Sequence, residues 1–209
     1  MSSAERLAAE DSLENEVFKG LALQGAALGG KEFYRCVFEN CQLQESVWKN
    51  AKLESCVFRG CDLTRAVLLQ TGVRGVQFED CKLMGVDWSS LSPHPEFTFT
   101  NCNLRYASFM RVNLRKTSFL KSSVREANFQ ECDLTEADFG GADLSGSNFR
   151  GCTLVHADFR GTTGTFFEPA RNKVKDTRVP VETAVLLAQS FGLFVDGYGA
   201  EPKAVKKKS

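Results

Sequence analysis

The chain has 209 residues, and its 26 Lys and Arg residues balance its 26 Asp and Glu residues, so that the formal net charge is zero. This balance disfavours a globally basic nucleic-acid binder, because phosphate binding requires surplus Lys and Arg. No apolar run approaches the roughly 18 to 20 residues of a membrane-spanning helix, and Met1–Glu16 contains acids but no apolar segment typical of a signal peptide. We therefore expect a single-domain cytoplasmic protein with no membrane association.

A period of five residues runs through most of the chain. Large apolar residues recur at every fifth position from Phe18 to Trp88, and again, one residue out of phase, from Phe99 to Phe159. Two residues before most of these positions stands a small residue, Ala, Cys, Ser, Thr or Val. The pattern predicts a chain that turns a corner every five residues and points two side chains of each pentad inward. Four pentads then close a square coil, and residues about 20 apart stack at the spacing of β-strands.

The cysteines all fall in the small inward register, at Cys36, Cys41, Cys56, Cys61, Cys81, Cys102, Cys132 and Cys152. Their spacings follow from the coil, whereas zinc sites need tight pairs that converge on one point. We therefore predict buried, reduced thiols with no metal and no cofactor. Zinc bound through the C-x₄-C pairs at Cys36 and Cys56, or disulfides between stacked pairs such as Cys41 and Cys61, are the alternatives.

Residues that could carry catalysis are few and scattered. The two histidines, His94 and His156, lie far apart in the sequence, and no nucleophile elbow, phosphate-binding loop or zinc-protease motif is present. Most glycines fall two residues after an inward position, where they serve the corners of the coil. We therefore predict that the protein is not an enzyme.

The charges are sorted along the chain. Residues Phe99–Arg125 contain bases and no acid, whereas Glu126–Phe149 contain acids and no base. A rigid ladder of carboxylates can imitate DNA phosphates before a basic groove, and a solvated surface of coils with opposite sign is the alternative. The acidic candidates for partner contact are Glu126, Glu131, Asp133, Glu136, Asp138, Asp143 and Asp158.

The repeat is interrupted once, at residues 89–98, where the spacing of inward residues grows by one. Two prolines remove backbone donors there, which predicts either a small protruding loop suited to recognition or a bulge that absorbs the extra residue. The candidate contact residues in this segment are Pro93, His94, Pro95 and Glu96.

The repeat ends near Gly161, and residues 162–197 form a separate tail. A helix is predicted from Pro180 to Phe191, with Gly192 ending it. Its apolar content exceeds the need of a cap, which predicts a symmetric homodimer; a purely intramolecular cap is the alternative. The candidate dimer residues are Val185, Leu186, Leu187, Phe191, Leu193, Phe194 and Val195. Residues 1–15 are predicted to be an N-terminal cap, and 198–209 to be disordered.

Several pentads, including Ala127-Asn128-Phe129 and Ala137-Asp138-Phe139, match the motif A-[DN]-[LF]-x-x. Over residues 16–161 the chain resembles the pentapeptide-repeat proteins. This resemblance implies an all-β solenoid, a right-handed quadrilateral β-helix, here with a short C-terminal helix.

A rod followed by a loop, a short helix and an apolar segment, here Val179–Gly197, is similar to the topoisomerase-protecting members of that family, the Qnr, MfpA and McbG proteins. The resemblance implies a homodimer that binds DNA gyrase or topoisomerase IV and relieves poisoning by quinolones or peptide toxins, giving resistance or self-immunity. For the better known members the resemblance implies a surface that mimics DNA. This chain differs from the strongly acidic members because it is neutral and has a basic band at Arg105–Arg125. We therefore expect local contact with the enzyme through the acidic coils or the loop, and not mimicry along the whole rod. We expect no direct DNA binding; a general scaffold for another partner is the alternative.

Overall fold

The structure, a computed structural model, describes residues 2–198. Within them the chain winds into a β-solenoid of about seven turns, in which every strand pairs in parallel with the strands of neighbouring coils. The register advances by 20 residues per coil, as in the pairing of Phe18 with Phe38, and by 21 across the interruption, where Phe78 pairs with Phe99. The predicted β-helix is confirmed.

Each coil has four faces, which we number by their inward residues. Face 1 carries Leu13, Phe33, Leu53, Val73, Leu114, Leu134 and Leu154; face 2 carries Phe18, Phe38, Phe58, Phe78, Phe99, Phe119, Phe139 and Phe159. Face 3 carries Leu23, Leu43, Leu63, Leu83, Leu104, Val124 and Leu144; face 4 carries Leu28, Trp48, Leu68, Trp88, Phe109, Phe129 and Phe149.

Three faces carry regular strands. On face 1 they are β1 (Ser12–Glu14), β3 (Glu32–Tyr34), β5 (Lys52–Glu54) and β7 (Gly72–Arg74). On face 2 they are β2 (Val17–Lys19), β4 (Val37–Glu39), β6 (Val57–Arg59), β8 (Val76–Glu79), β9 (Phe97–Thr100) and β11 (Phe119–Leu120). On face 4 they are β10 (Ser108–Met110), β12 (Asn128–Gln130) and β13 (Asn148–Arg150). Face 3 is joined by isolated parallel bridges, such as the one between Ala22 and Gln42.

The core consists of columns of side chains that stack from coil to coil. The Phe119 and Phe139 rings lie 4.6 Å apart and nearly parallel, and those of Phe129 and Phe149 lie 4.7 Å apart. These separations match the spacing of paired strands, about 4.8 Å. The stacked rings therefore contact each other wherever the backbone ladder is regular.

The corners of the coil take the left-handed backbone conformation. Two residues after most inward positions φ is positive, at glycines such as Gly60 (φ 60°) but also at Asn40 (φ 52°) and Glu126 (φ 54°). Non-glycine residues rarely adopt this region. The repeated corners therefore fix the direction in which these side chains leave the rod.

All eight cysteines are buried and form no disulfide. Their thiols donate to carbonyl oxygens of the preceding coil, as Cys41 Sγ does to Phe18 O at 3.2 Å and Cys61 Sγ to Phe38 O at 3.3 Å. The hydrogen bond with the Cys61 thiol and burial together raise the pKa of Cys41. A protonated, buried thiol is a weak nucleophile, so Cys41 serves the core, where the other seven cysteines are also buried.

The ladder extends beyond both ends of the predicted repeat. At the N-terminal end β1 pairs with β3 through Leu13, and helix α1 (Ser3–Ala9) buries Leu7 against the first coil. At the C-terminal end Lys173 and Arg178 bridge to Thr153 and Asp158, so that a further irregular coil follows Gly161.

That last coil includes a 3₁₀ turn, Pro169–Arg171, and leads into helix α2, Val181–Ser190. Gly192 follows α2 with φ 77° and donates to Gln189 O, which ends the helix at the predicted position. Within residues 2–198 no helix has the length and hydrophobicity to cross a bilayer. Most of the tail predicted to be disordered, residues 199–209, lies outside the described residues.

Candidate functional site

The acidic candidates occupy two kinds of position on the coil. Glu126, Glu131 and Glu136 are corner residues with positive φ. Asp133, Asp138, Asp143 and Asp158 each stand one residue before an inward side chain, within the parallel bridges. The period of five therefore places the two groups in separate rows along the rod.

Most of these carboxylates are paired with bases, chiefly from the preceding coil. Six of the seven form ion pairs, and Asp138 makes none among residues 2–198. The N–O distances are 2.6 Å for Arg105–Glu126, 3.1 Å for Arg111–Glu131, 3.4 Å for Arg115–Asp133, 3.7 Å for Lys116–Glu136, 3.2 Å for Arg125–Asp143 and 2.6 Å for Arg160–Asp158. The basic and acidic segments of the sequence thus lie on neighbouring coils, where their opposite charges largely neutralise each other.

The aspartates also hold the turns of the coil. Asp143 Oδ1 accepts hydrogen bonds from the Ser145 amide at 3.0 Å and the Ser145 hydroxyl at 2.6 Å, and Asp133 receives the same pair from Thr135. Asp138 accepts from the Gly140 amide at 2.8 Å. This local bond explains why aspartate recurs at the position.

The surroundings of Asp158 and Asp143 lower the pKa of both side chains. The hydrogen bond from Arg160 is the main cause that lowers the pKa of Asp158, and burial opposes it. At Asp143 burial also favours the neutral acid, but the bonds from Ser145 and the charge of Arg125 prevail and lower its pKa. Both of these carboxylates are therefore stabilised in the charged form by groups of the protein itself.

The interruption at residues 89–98 is a short loop bound to the upstream coil. The Ser92 amide donates to Thr71 O at 3.0 Å and the Glu96 amide to Val73 O at 2.9 Å. Pro93 and His94 are exposed between these two anchors, and His94 has a φ of 59°. The loop thus stays bonded to the upstream coil on face 1, but the side chain of Pro93 does not enter the core.

Phe97 fills the space that the loop leaves. It occupies a position of the small register, is 5% exposed, and lies 5.1 Å from the Trp88 ring and 5.2 Å from the Phe99 ring. The large residue that broke the sequence pattern is therefore a substitute for the inward residue missing at Pro93. It also anchors the C-terminal side of the loop.

The tail divides the candidate dimer residues into two groups. Leu187 packs against the core, and Thr183 of the same helix is buried and donates to Thr165 O at 3.1 Å. The outward group is exposed: Leu186 by 45%, Phe191 by 65%, Leu193 by 60% and Phe194 by 46%. Val185 and Val195 are half-buried. Leu187 therefore belongs to the cap, whereas the outward group forms an apolar surface, the tail patch.

Other kinds of site are not apparent among residues 2–198. No group of three His, Cys, Asp or Glu side chains there could hold a metal ion. The buried nitrogen Trp88 Nε1 has no hydrogen-bond partner in the described part of the chain, because Val86 stands where Ser46 accepts from Trp48 at 2.8 Å. Of the sites that the sequence predicts, the loop and the tail patch are exposed surfaces in separate parts of the chain.

Comparison with known proteins agrees with this architecture. The family model described as "Pentapeptide repeat region" matches residues 31–92 and 95–163. No curated protein matches the chain significantly.

One solved structure shares the fold at a TM-score above 0.5, and a second is similar at a lower score. A trypsin-treated form of QnrB1, a plasmid-mediated fluoroquinolone resistance protein, is 24% identical with a TM-score of 0.56, and the alignment covers 88% of this chain and 89% of that one. HetL from the cyanobacterium Nostoc sp. strain PCC 7120, a pentapeptide repeat protein involved in heterocyst differentiation regulation, is 16% identical, with 84% and 90% covered and a TM-score of 0.45.

Proposed function

This chain belongs to the pentapeptide-repeat family, and we propose that it is a non-enzymatic protein that binds a type II DNA topoisomerase and protects it from a poison. The target is DNA gyrase or topoisomerase IV, and the poison is a quinolone or a peptide toxin. Solenoids of this family serve typically as interaction scaffolds. The protein would act by contact with the enzyme, without catalysis of its own.

The observation that carries the proposal is the tail patch. The end of the rod is already covered by Leu187 and Thr183, yet Leu186, Phe191 and Leu193 remain exposed. An apolar surface beyond the need of a cap indicates a partner subunit. A rod joined to a second rod through such a tail is the arrangement implied by the resemblance to the topoisomerase-protecting members, and the fold shared with QnrB1 supports it.

Within this proposal the loop is a better contact for the enzyme than the acidic coils. Carboxylates such as Glu126 and Asp143 are paired with Arg105 and Arg125, so that the rod offers little uncompensated negative charge to a DNA-binding groove. Pro93 and His94 are exposed on a rigid support, as is typical of recognition loops. Any DNA mimicry would therefore be partial.

The direct test is a supercoiling assay with purified gyrase, poisoned by a quinolone and, separately, by a peptide toxin. The protein is titrated in, and supercoiled and cleaved DNA are both measured. We expect restored supercoiling with less cleavage at micromolar protein. If neither measure changes with gyrase or with topoisomerase IV, the proposal is wrong and a scaffold with another partner takes its place.

The proposed dimer has its own test. Replacing Leu186 and Phe191 together with Asp should convert a dimer into a monomer of 23.1 kDa, because the interface would bury unpaired charges. Gln189→Asp on an exposed position of the same helix is the control and should leave the dimer intact. Light scattering gives the mass, and an unchanged mass in the double variant would refute the tail interface.

A further inference from the structure

The hydrogen-bond ladder of face 1 is regular in the coils that follow the loop. There the amide of an inward residue and the amide two residues later both donate to the next coil, as Leu114 does to Asp133 O at 2.8 Å and Lys116 to Thr135 O at 3.0 Å. The next coil returns one bond, from the Asp133 amide to Val112 O at 3.2 Å. Each rung of this face therefore consists of three backbone bonds.

The loop keeps its backbone hydrogen bonds to the upstream coil but makes none of the face 1 bonds to the downstream coil. Ser92 makes the same bond to the upstream coil as Gly72 does one coil earlier, which places Pro93 and Pro95 at the two positions that would donate to the next coil. Proline has no amide hydrogen. Both donors toward the downstream coil are thus missing because of the residue type.

The downstream coil is left with an open strand edge at residues 113–115. Among residues 2–198, Asn113 O and Arg115 O accept no hydrogen bond, and the Asn113 amide donates none. Asn113 and Arg115 are exposed residues, and each lines a cleft beside the loop. An added β-strand would form hydrogen bonds with such groups, which lie on every second residue of an unpaired edge.

Open space lies beside the loop on both sides of Pro95. Two clefts meet at Pro95, with volumes of about 350 Å³ and 360 Å³. The first is lined by Arg115 and Lys116, and the second by Asn113 and Pro93. Each holds roughly ten times the liquid volume of a water molecule, which is room for a few extended residues.

The charged residues that line the clefts are mostly basic. It contains Arg111, Arg115 and Lys116 but only one acid, Glu96. The three bases are ion-paired with Glu131, Asp133 and Glu136 of the next coil, but those carboxylates line neither cleft, so the clefts themselves present more basic than acidic groups. Acidic side chains on an incoming segment would therefore meet bases, and basic ones would be repelled.

We propose that the open edge at residues 113–115 binds an extended acidic peptide segment of a partner protein, which joins the ladder as an additional β-strand. The backbone of that segment bonds to Asn113 and Arg115, and its acidic side chains contact the flanking bases. This inference goes beyond topoisomerase protection, because it concerns the chemistry of the segment and not the identity of the protein that carries it.

Hydrogen exchange of the whole protein tests the open edge itself. The Asn113 amide should exchange with solvent far faster than the equivalent Asp133 amide one coil later, on the order of a hundredfold or more. Each residue is followed by NMR, so that the two equivalent positions serve as each other's control. Equal protection at Asn113 and Asp133 would overturn the proposal.

A peptide titration tests the occupant. The probe is a blocked heptapeptide of alternating Val and Asp, and its controls are the same peptide with Lys in place of Asp and one with methylated backbone amides. We expect shifts at Asn113 and Arg115 and at least tenfold slower exchange of the Asn113 amide with the acidic peptide alone. No change at millimolar peptide, or equal binding of either control, contradicts the proposal.

A variant that closes the edge completes the design. Replacing Pro93 and Pro95 together with Ala returns the two missing amides, so that peptide affinity should fall at least tenfold although no charge has changed. Pro169→Ala, in the 3₁₀ turn of the tail, is the control. Unchanged affinity in the double variant would contradict the proposal, and the titration of the natural protein stands if that variant fails to fold. Because none of these experiments contains a topoisomerase, their failure is separable from that of the proposed function.

Discussion

The coils before the loop and the coils after it satisfy the same period with different side chains. The upstream core stacks a column of phenylalanines on face 2 alone, mixes leucine, valine and tryptophan on the other faces, and contains a small void of about 10 Å³ lined by residues such as Leu53 and Trp88. The downstream core stacks phenylalanines on faces 2 and 4, and aspartates hold its turns. The fold is therefore specified by the size of the inward side chains and by their positions in the repeat. Regular ring stacking and hydrogen bonds within the turns add stability where they occur.

The largest expected difference concerns the stacked rings. Phe129 lies 4.8 Å from Phe109 and 4.7 Å from Phe149, so Phe129→Ala should lower the free energy of unfolding by about 3 to 5 kcal/mol. Leu53→Ala beside the upstream void should cost less, nearer to 2 kcal/mol. Urea unfolding measures both. A cost below about 1 kcal/mol for Phe129→Ala would show that the ring contributes little.

The turn aspartates provide the next contrast. Asp143→Ala removes two local hydrogen bonds and the pair with Arg125, which should cost about 1 to 2 kcal/mol. Gln42→Ala changes the equivalent position of face 3 upstream and should stay within about 0.5 kcal/mol. Thermal melts of both variants give the comparison, and equal costs would mean that aspartate has no special role there.

The two tryptophans differ in the residue that stands two positions earlier, which is Ser46 before Trp48 and Val86 before Trp88. Ser46→Val should cost about 1 to 2 kcal/mol, because it removes the acceptor of Trp48 Nε1. Val86→Ser should be nearly neutral, within about 0.5 kcal/mol, since the new acceptor for Trp88 Nε1 offsets the lost apolar burial. Denaturant unfolding followed by tryptophan fluorescence measures both. A loss above about 2 kcal/mol in Val86→Ser would show that its hydroxyl does not reach Trp88.

The smallest effect depends on pH. The lowered pKa of Asp158 means that its charge stabilises the folded protein above the unfolded pKa of about 3.9, and that this contribution is lost as pH falls through the lower folded value. Asp158→Asn should therefore lower Tm at pH 7 but have much less effect at pH 3. Glu182→Gln, exposed on α2, is the control. A Tm difference independent of pH would exclude the charge as the cause.

Much of the fold follows from the sequence because the period repeats in every coil. A five-residue pattern from Phe18 to Phe159 determines which side chains face inward, and the eight buried cysteines follow from the same register. The period did not predict helix α1, because this helix lies before the repeats begin. Its capping box, in which Ser2 and Glu5 exchange hydrogen bonds, was nevertheless a readable signal.

The candidate site was less accessible from the sequence, for two physical reasons. The basic and acidic bands are separate in the linear chain but adjacent in the coil, so that Arg105 and Glu126 become partners only after folding. The side of α2 that faces the core is set by distant contacts such as Thr183 with Thr165 O. An apolar helix without a clear stripe, with Leu186 beside Leu187, does not indicate which residue points outward.

The missing rung on face 1 also bears on how the rod unfolds. In a solenoid each coil stabilises only its neighbours, so that cooperativity passes along the axis one interface at a time. At the loop that interface relies on the other three faces, through β8 with β9 and through bridges such as Lys82 with Asn103. We therefore expect the rod to unfold as two cooperative units that meet at this junction. A strand bound across that junction would couple their unfolding and make the two halves melt as one.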